Sequence, residues 1–331
     1  MALYAALTDE DFRTVCPEFT LGDFASATGV PQGSINTNYF LHTSTGRYFL
    51  RHTTVRTEAD LRFEASLLLL LHESRFPAPH LHLTRSGQPF LQVRGGYVSV
   101  FGYLPGEELA RDRLTTDHCE HLGAELGKLH RVGNSLVGDR ANPYGPDLVR
   151  TWLRELAAHP DEELRGIARE CEDHLDQVER GGRLTPRGVI HADLFMDNVK
   201  WLGDRVSAFF DFEMACRDEL VLDVAITMNA WCFDGAYQPA LCRALLRGYQ
   251  DVRPLSADER ARLHQQALFG AVRYTASRIR DFHLSPLPPE RLFRKDFRTY
   301  LARVRALDAM GPAGFEELVF PRGPGSVTGR G

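Results

Sequence analysis

Apolar positions along the chain fall in short alternating runs over the first hundred residues and at helical spacing beyond them. Asn38-Tyr39-Phe40-Leu41 and Tyr48-Phe49-Leu50, inside the runs Thr37 to His42 and Arg47 to Arg51, are separated by the polar stretch Thr43 to Gly46 and predict a β-hairpin. A third run of this kind is Gly96 to Phe101, and between it and the hairpin Glu58 to Ser74 predicts a helix closing before Pro77 and Pro79. The pattern changes at Phe101-Gly102-Tyr103-Leu104-Pro105-Gly106, where Gly and Pro mark a connector. The best-defined helix follows, with Asp117 and Glu120 as a capping box, Leu122, Leu126 and Leu129 on one face, and Gly133 just past the end. A polar helical region is expected from Pro146 to Glu179, and helices from Leu220 to about Met310. The expected class is α+β in two lobes: an antiparallel-sheet lobe over 1–101, a hinge at 102–106, a larger, mainly helical lobe over 107–322, and a Gly- and Ser-rich flexible tail over 323–331.

Composition narrows the partners. With 331 residues, 43% hydrophobic and 25% charged, the chain can build two sizeable cores. A formal net charge of -5 offers no basic footprint for nucleic acid or an anionic membrane, so a small-molecule partner is favoured. The longest apolar run, Leu67 to Leu71, is too short to cross a bilayer, and residues 1–11 lack a secretory pattern. Six scattered cysteines without a C-x-x-C pair fit a reducing cytoplasm better than disulfides or structural zinc.

The candidate chemistry lies between Arg187 and Phe212. Gly203-Asp204 reads as a tight turn joining Val199–Leu202 to Arg205–Phe210, with Asn198 expected opposite Phe209 and with Asn198 and Asp211 at the open end. Their oxygens could converge on one hard cation, with room left for phosphates and water, which suits Mg2+. Asp193, five residues before Asn198, could orient a substrate hydroxyl and accept its proton during phosphoryl transfer. His191 reads as a brace for this loop, and Asp197 as a polar support or a turn residue.

His191-x-Asp193-x-x-x-x-Asn198 followed by Asp211-Phe212 resembles the catalytic loop and metal-binding Asp of the protein-kinase-like aminoglycoside phosphotransferase superfamily. Within it, His191 to Val199, Asp223 to Cys232 and Val272 to Arg278 are similar to bacterial homoserine kinases, and Gly29 to Tyr39 looks like that family's nucleotide loop. The resemblance implies a two-lobed fold, ATP and Mg2+ as cofactors, and phosphorylation of a small alcohol, L-homoserine first, as in threonine biosynthesis. It also implies cover for the nucleotide phosphates from Gly29, Gly33, Ser34, Asn36 and Asn38, and adenine contacts from the hinge at Phe101 and Tyr103. Arg51 stands where kinases carry a small-lobe lysine, with Glu64 as its helix partner, or is an ordinary exposed strand residue. Asn229 and Trp231 fit either substrate contact or core packing. Arg273 and Arg278 fit either a carboxylate clamp or a solvated helix face, and Glu213 either an ammonium partner or a surface acid.

Three departures bear on the acceptor: Ala230 within Asn229–Cys232, Glu213 after Asp211-Phe212, and Tyr274-Thr275-Ala276 before Ser277-Arg278. Another alcohol (choline, a sugar, an aminoglycoside) and a nucleotide-binding pseudokinase therefore stand as alternatives.

Overall fold

The computed structural model describes residues 6–30, 36–180, 185–285 and 295–321. The tail 323–331 lies outside them. Helix α1 (Asp9–Glu18) starts at a capping box in which the Thr8 hydroxyl accepts the Asp11 N–H and the Asp11 carboxylate accepts the Thr8 N–H. Strands β1 (Phe24–Val30), β2 (Thr37–Thr43) and β3 (Gly46–Thr53) form an antiparallel meander. Helix α2 (Glu58–Glu73), β4 (Leu81–His82), β5 (Leu91–Val93) and β6 (Gly96–Gly102) complete the unit. The sheet order is β1-β2-β3-β6-β4, with β5 paired to β6.

Alternation along these strands separates two jobs. Tyr39, Leu41, Leu50, Val98 and Val100 point to a core closed by Phe12, Val15 and Cys16 of α1. Asn38, Phe40, Phe49, Arg51 and Phe101 occupy the intervening positions and line a cleft on the other face.

Beyond the sheet come α3 (Thr116–Gly133), α4 (Pro146–Ala157), α5 (Glu162–Arg180) and β7 (Arg187–Ile190). The hairpin β8 (Val199–Leu202) and β9 (Arg205–Phe209) follows, then β10 (Cys216–Glu219), which pairs with β7, and α6 (Leu220–Trp231). The short pair β11 (Phe233–Asp234) and β12 (Ala236–Tyr237) precedes α7 (Pro239–Val252), α8 (Ala257–Arg278) and α9 (Arg298–Val319). Gly106, at φ 116°, lets the connector approach β8 so closely that a Cβ would sit 2.7 Å from the Trp201 carbonyl oxygen. Glu107 and Trp201 exchange backbone hydrogen bonds there, tying the connector to the hairpin.

Several expected boundaries move. Helix α3 is capped by Thr115, with His118 as its reciprocal partner, because Thr115 is already extended while Asp117 lies inside the first turn. Gly133 is the last residue of α3 and Asn134 its cap. The helical region after Pro146 breaks at His159-Pro160, where proline cannot continue the ladder, and Asp161 restarts it by accepting the Glu163 N–H. Past Leu220, β11 and β12 interrupt the helices, and α9 runs on to Val319 through a kink at Gly311.

Candidate active site

Strand β7 carries two fully buried residues, Val189 and Ile190, and delivers the loop that starts at His191. The loop is held from below by Asp223, the one acid in a helix whose every residue is buried. Its Oδ2 accepts the His191 N–H at 2.7 Å and its Oδ1 the Ala192 N–H at 2.9 Å, while His130 Nε2 lies 3.1 Å from Oδ2. Burial alone would raise this carboxyl, but the His130 hydrogen bond and the charges and N–H groups around it hold it below the usual range. Ala192 is thereby kept at φ 64°, a left-handed conformation that a non-glycine residue adopts only when its surroundings over-determine it. His191 Nδ1 accepts the Asp193 N–H and its Nε2 donates to the Phe210 carbonyl at 3.0 Å, so the ring braces the loop against the segment after β9 that bears Asp211. Trp231 Nε1 donates to the Leu194 carbonyl at 2.9 Å.

Asp193, Asn198 and Asp211 converge. Asn198 Nδ2 donates to the Asp193 carbonyl at 2.8 Å and lies 3.3 Å from Asp193 Oδ2, which leaves the Asn198 oxygen available. The hairpin carries a bulge between Lys200 and Trp201, so Val199 pairs with Phe209 and Asn198 stands opposite Phe210, not Phe209; the extra residue in β9 shifts the register by one. Asp211 is itself left-handed at φ 63°. Burial first, then the neighbouring Glu213, push its carboxyl up to about 8 against the pull of Arg51. Among the described residues no group of three or more His, Cys, Asp or Glu is placed to hold a metal ion. Two protein oxygens, one from Asp211 and one from Asn198, fit a cation that keeps phosphate and water in its shell, as magnesium does. The Tyr274 hydroxyl lies 2.7 Å from Asp193 Oδ1 and 2.9 Å from the Ala192 carbonyl.

On the sheet side, Arg51 Nη1 reaches both oxygens of Glu64 at 2.9 and 3.1 Å, and Nη2 reaches Asp211 at 3.2 Å. Arg51 is buried, so it is no exposed strand residue. Burial would raise the Glu64 carboxyl, but Arg51 and Arg56 hold it down. Glu213 lines the cleft, where its carboxylate accepts the Asn36 amide at 2.6 Å and lies 3.9 Å from both Arg51 and Arg56, so it is engaged by the sheet side of the site. Arg140 fastens that turn, donating to the Glu213 and Ala215 carbonyls while pairing with Asp60 on α2.

The cleft between these walls measures about 980 Å³. Asn36, Asn38, Phe101 and Tyr103 line one end, and the amide oxygens of both asparagines are buried without partners. Gly29 pairs with Tyr39 inside β1, and no atom comes within 4 Å of where its Cβ would be; Gly33 and Ser34 lie outside the described residues. At the other end α8 widens into a π-helical turn over Ile279–His283, placing Arg280, Asp281 and Phe282 on the wall. Arg273 is 2% exposed, packs against the rings of Tyr144 and Tyr274, and has Nε and Nη1 buried without any partner. Arg278 also lines the cleft, donating through Nη1 to the Asp296 carbonyl and Thr299 Oγ1. Asp197 sits exposed on the rim, 3.5 Å from Lys295.

Two expected substrate contacts are core instead. Asn229 donates to the Ala267 carbonyl and accepts the Tyr237 hydroxyl, so both ends of its amide are spent inside the protein. Trp231 is fully buried and supports the loop through Leu194. Conversely, Asp223, His130, Tyr274, Arg56 and Arg140 belong to the site and were not singled out for it. The lone acid in the apolar run Leu220 to Met228 was the available signal for Asp223; nothing local marks the others.

The profile of the phosphotransferase enzyme family (APH) matches residues 26–255. The homoserine kinase of Methylorubrum populi is 36% identical over 286 residues, covering 85% of this chain and 88% of its own. That of Paramagnetospirillum magneticum is 35% identical over 317 residues, covering 92% and 96%. Among solved structures, an amicoumacin kinase in complex with AMP-PNP and Ca2+ superposes with a TM-score of 0.72 at 16% identity over 92% of this chain and 95% of its own, a likeness of fold. A microcompartment-associated aminopropanol kinase gives 0.67 at 15% identity, over 94% and 100%. A profile match across most of the chain, relatives above 30% identity over nearly all of it, and the shared two-lobed fold agree: this chain belongs to the phosphotransferase enzyme family, among relatives that carry the homoserine kinase name.

Proposed function

We propose that this protein is a cytoplasmic kinase that transfers the γ-phosphoryl group of ATP to the side-chain hydroxyl of L-homoserine, giving O-phospho-L-homoserine and ADP. The observation that carries the acceptor is Arg273, a buried guanidinium with two unpaired N–H-bearing nitrogens in the wall of the cleft that holds Asp193. Hydrogen-bonding capacity left open on a buried guanidinium is unfavourable by itself and is satisfied by a substrate carboxylate. Choline and aminoglycosides bring a positive charge to that position and no carboxylate. The homoserine kinase name of the relatives supports the same acceptor.

Nucleotide sits between the lobe 1–101 and the lobe 107–322, its adenine against the hinge at Phe101 and Tyr103 and its phosphates beside Asn36 and Asn38. Asp193 orients the acceptor hydroxyl and takes its proton. Asn198 and Asp211 hold Mg2+, which when bound neutralises charge on the phosphates. Arg51, steadied by Glu64, contributes its charge from the sheet. No covalent enzyme intermediate is required.

The test is ADP release with a panel of L-homoserine, its methyl ester, choline, a hexose and an aminoglycoside. L-homoserine gives the highest kcat/KM, and Arg273→Ala lowers that value by about one to two orders of magnitude, the loss of one charge-assisted contact. Equal turnover of the ester or of choline rejects the amino-acid acceptor.

A further inference from the structure

A second cavity of about 410 Å³ lies against the far side of the same loop. Its walls come from the segment after the hinge (Glu108, Leu109, Arg111), the loop Phe195–Asp197, Ala230 at the end of α6, and Arg278, Thr299 and Arg303. Three guanidinium groups thus meet around one small space, and among the described residues none lies within salt-bridge distance of a carboxylate. The two acids on the wall are already matched: Glu108 is 2.9 Å from Lys200 and Asp197 is 3.5 Å from Lys295. None of the three charges has a carboxylate at salt-bridge distance; Arg303 is buried, Arg278 partly buried and Arg111 exposed, so solvent screening is weakest at Arg303.

The donors these arginines spend on the protein are carbonyl and hydroxyl contacts only. Arg111 holds the Ala230 and Trp231 carbonyls at the end of α6. Arg303, 8% exposed, gives Nε to the Asn229 carbonyl and Nη1 to that of Thr299. Among the described residues Nη2 of Arg303 and Nε and Nη2 of Arg278 make no hydrogen bond. Between the two guanidinium groups stands the Tyr300 ring, 4.4 Å from Arg278 and 4.5 Å from Arg303, and its buried hydroxyl has no partner.

We propose that this cavity binds a small oxyanion, a phosphate or carboxylate group of a metabolite, at a site separate from the acceptor end of the cleft. The geometry restricts the ligand to a small one, and the guanidinium forks suit planar or tetrahedral oxyanions. Phe195, Asp197 and Arg278 belong to the walls of both cavities, so the two sites are neighbours through the loop that carries Asp193.

The experiment is calorimetric titration of the full chain with inorganic phosphate and, separately, malonate, at fixed ionic strength, with the cleft filled by saturating L-homoserine and Mg-AMP-PNP. Saturable binding of either anion with a stoichiometry of one is expected; the tighter of the two tells whether the natural group is a phosphate or a carboxylate. Arg303→Gln weakens it about tenfold or more. Thr299→Glu does the same from an exposed position, since it supplies an internal carboxylate to the three cations, and so guards against a folding defect in the first variant. Absence of saturable binding, loss of binding on filling the cleft, or unchanged affinity in both variants overturns the proposal.

Discussion

Replacing Asp223 by Asn removes one charge and exchanges one acceptor for a donor in a fully buried position. In the native protein the carboxylate takes three hydrogen bonds, from the N–H groups of His191 and Ala192 and from His130. The amide can keep its oxygen toward His191 and His130, but then its NH2 faces the Ala192 N–H, leaving a buried donor unsatisfied at about 1 to 3 kcal/mol. Losing the charge weakens the remaining bonds, and removal of one partner from a buried charged network costs about 3 to 5 kcal/mol in total. That is a large share of a typical stability of about 5 to 15 kcal/mol, yet it leaves a folded population to assay. Ala192, freed from its restraint, relaxes from φ 64° toward ordinary backbone and turns Asp193 away. We expect kcat to fall about ten- to a hundredfold. Urea unfolding followed by fluorescence of the buried Trp152, Trp201 and Trp231 measures the first effect, and ADP release the second. Adding Ala192→Gly to Asp223→Asn removes the backbone strain and should restore part of kcat without restoring the lost stability. Because the Asp223 carboxyl is held below its ordinary value, its contribution is present above the unfolded range, near pH 4, and is lost as pH falls through the native value. The variant should therefore show a shallower acid loss of stability than the native chain. Stability within about 0.5 kcal/mol of native together with kcat within about twofold would refute the anchoring role.

Asp193→Asn keeps the shape of the side chain but cannot take the proton, and should lower kcat by about a hundredfold or more while nucleotide binding, read by calorimetry, stays near native. Tyr274→Phe deletes the hydroxyl 2.7 Å from Asp193 and should lower kcat about tenfold through looser orientation of that carboxylate, with a smaller change in KM; equal losses in both would point to acceptor binding instead. Gly248→Ala places a methyl group inside the van der Waals envelope of the Glu120 carbonyl, where α3 and α7 touch backbone to backbone, and should destabilise the fold by about 2 kcal/mol or more in urea unfolding.

Local chemistry carried the reading wherever a residue's role is set by its near neighbours in sequence. Asp193, Asn198 and Asp211 lie on one loop and one hairpin, so their spacing was enough to predict that they would meet, and the missed bulge altered the register by one residue without parting them. The pairing of Arg51 with Glu64 followed from a strand and the helix after it. What stayed hidden depends on partners distant in the chain. Helix α1 carries a local start signal in its Thr8–Asp11 capping box, but with only ten residues it becomes stable by closing the back of the sheet, a packing event that its own sequence does not show. Glu213 reads as a free acid until Arg51 and Arg56 are brought beside it, and Asn229 reads as polar and available until Ala267 and Tyr237 use its amide. The charge of Arg273 is written in the sequence, but that it is buried and unpaired is not. An amino acid's chemistry is local; its desolvation and its partners are decided by which segments the fold packs around it, and for a charged group those two quantities determine the free energy of bringing a ligand to it.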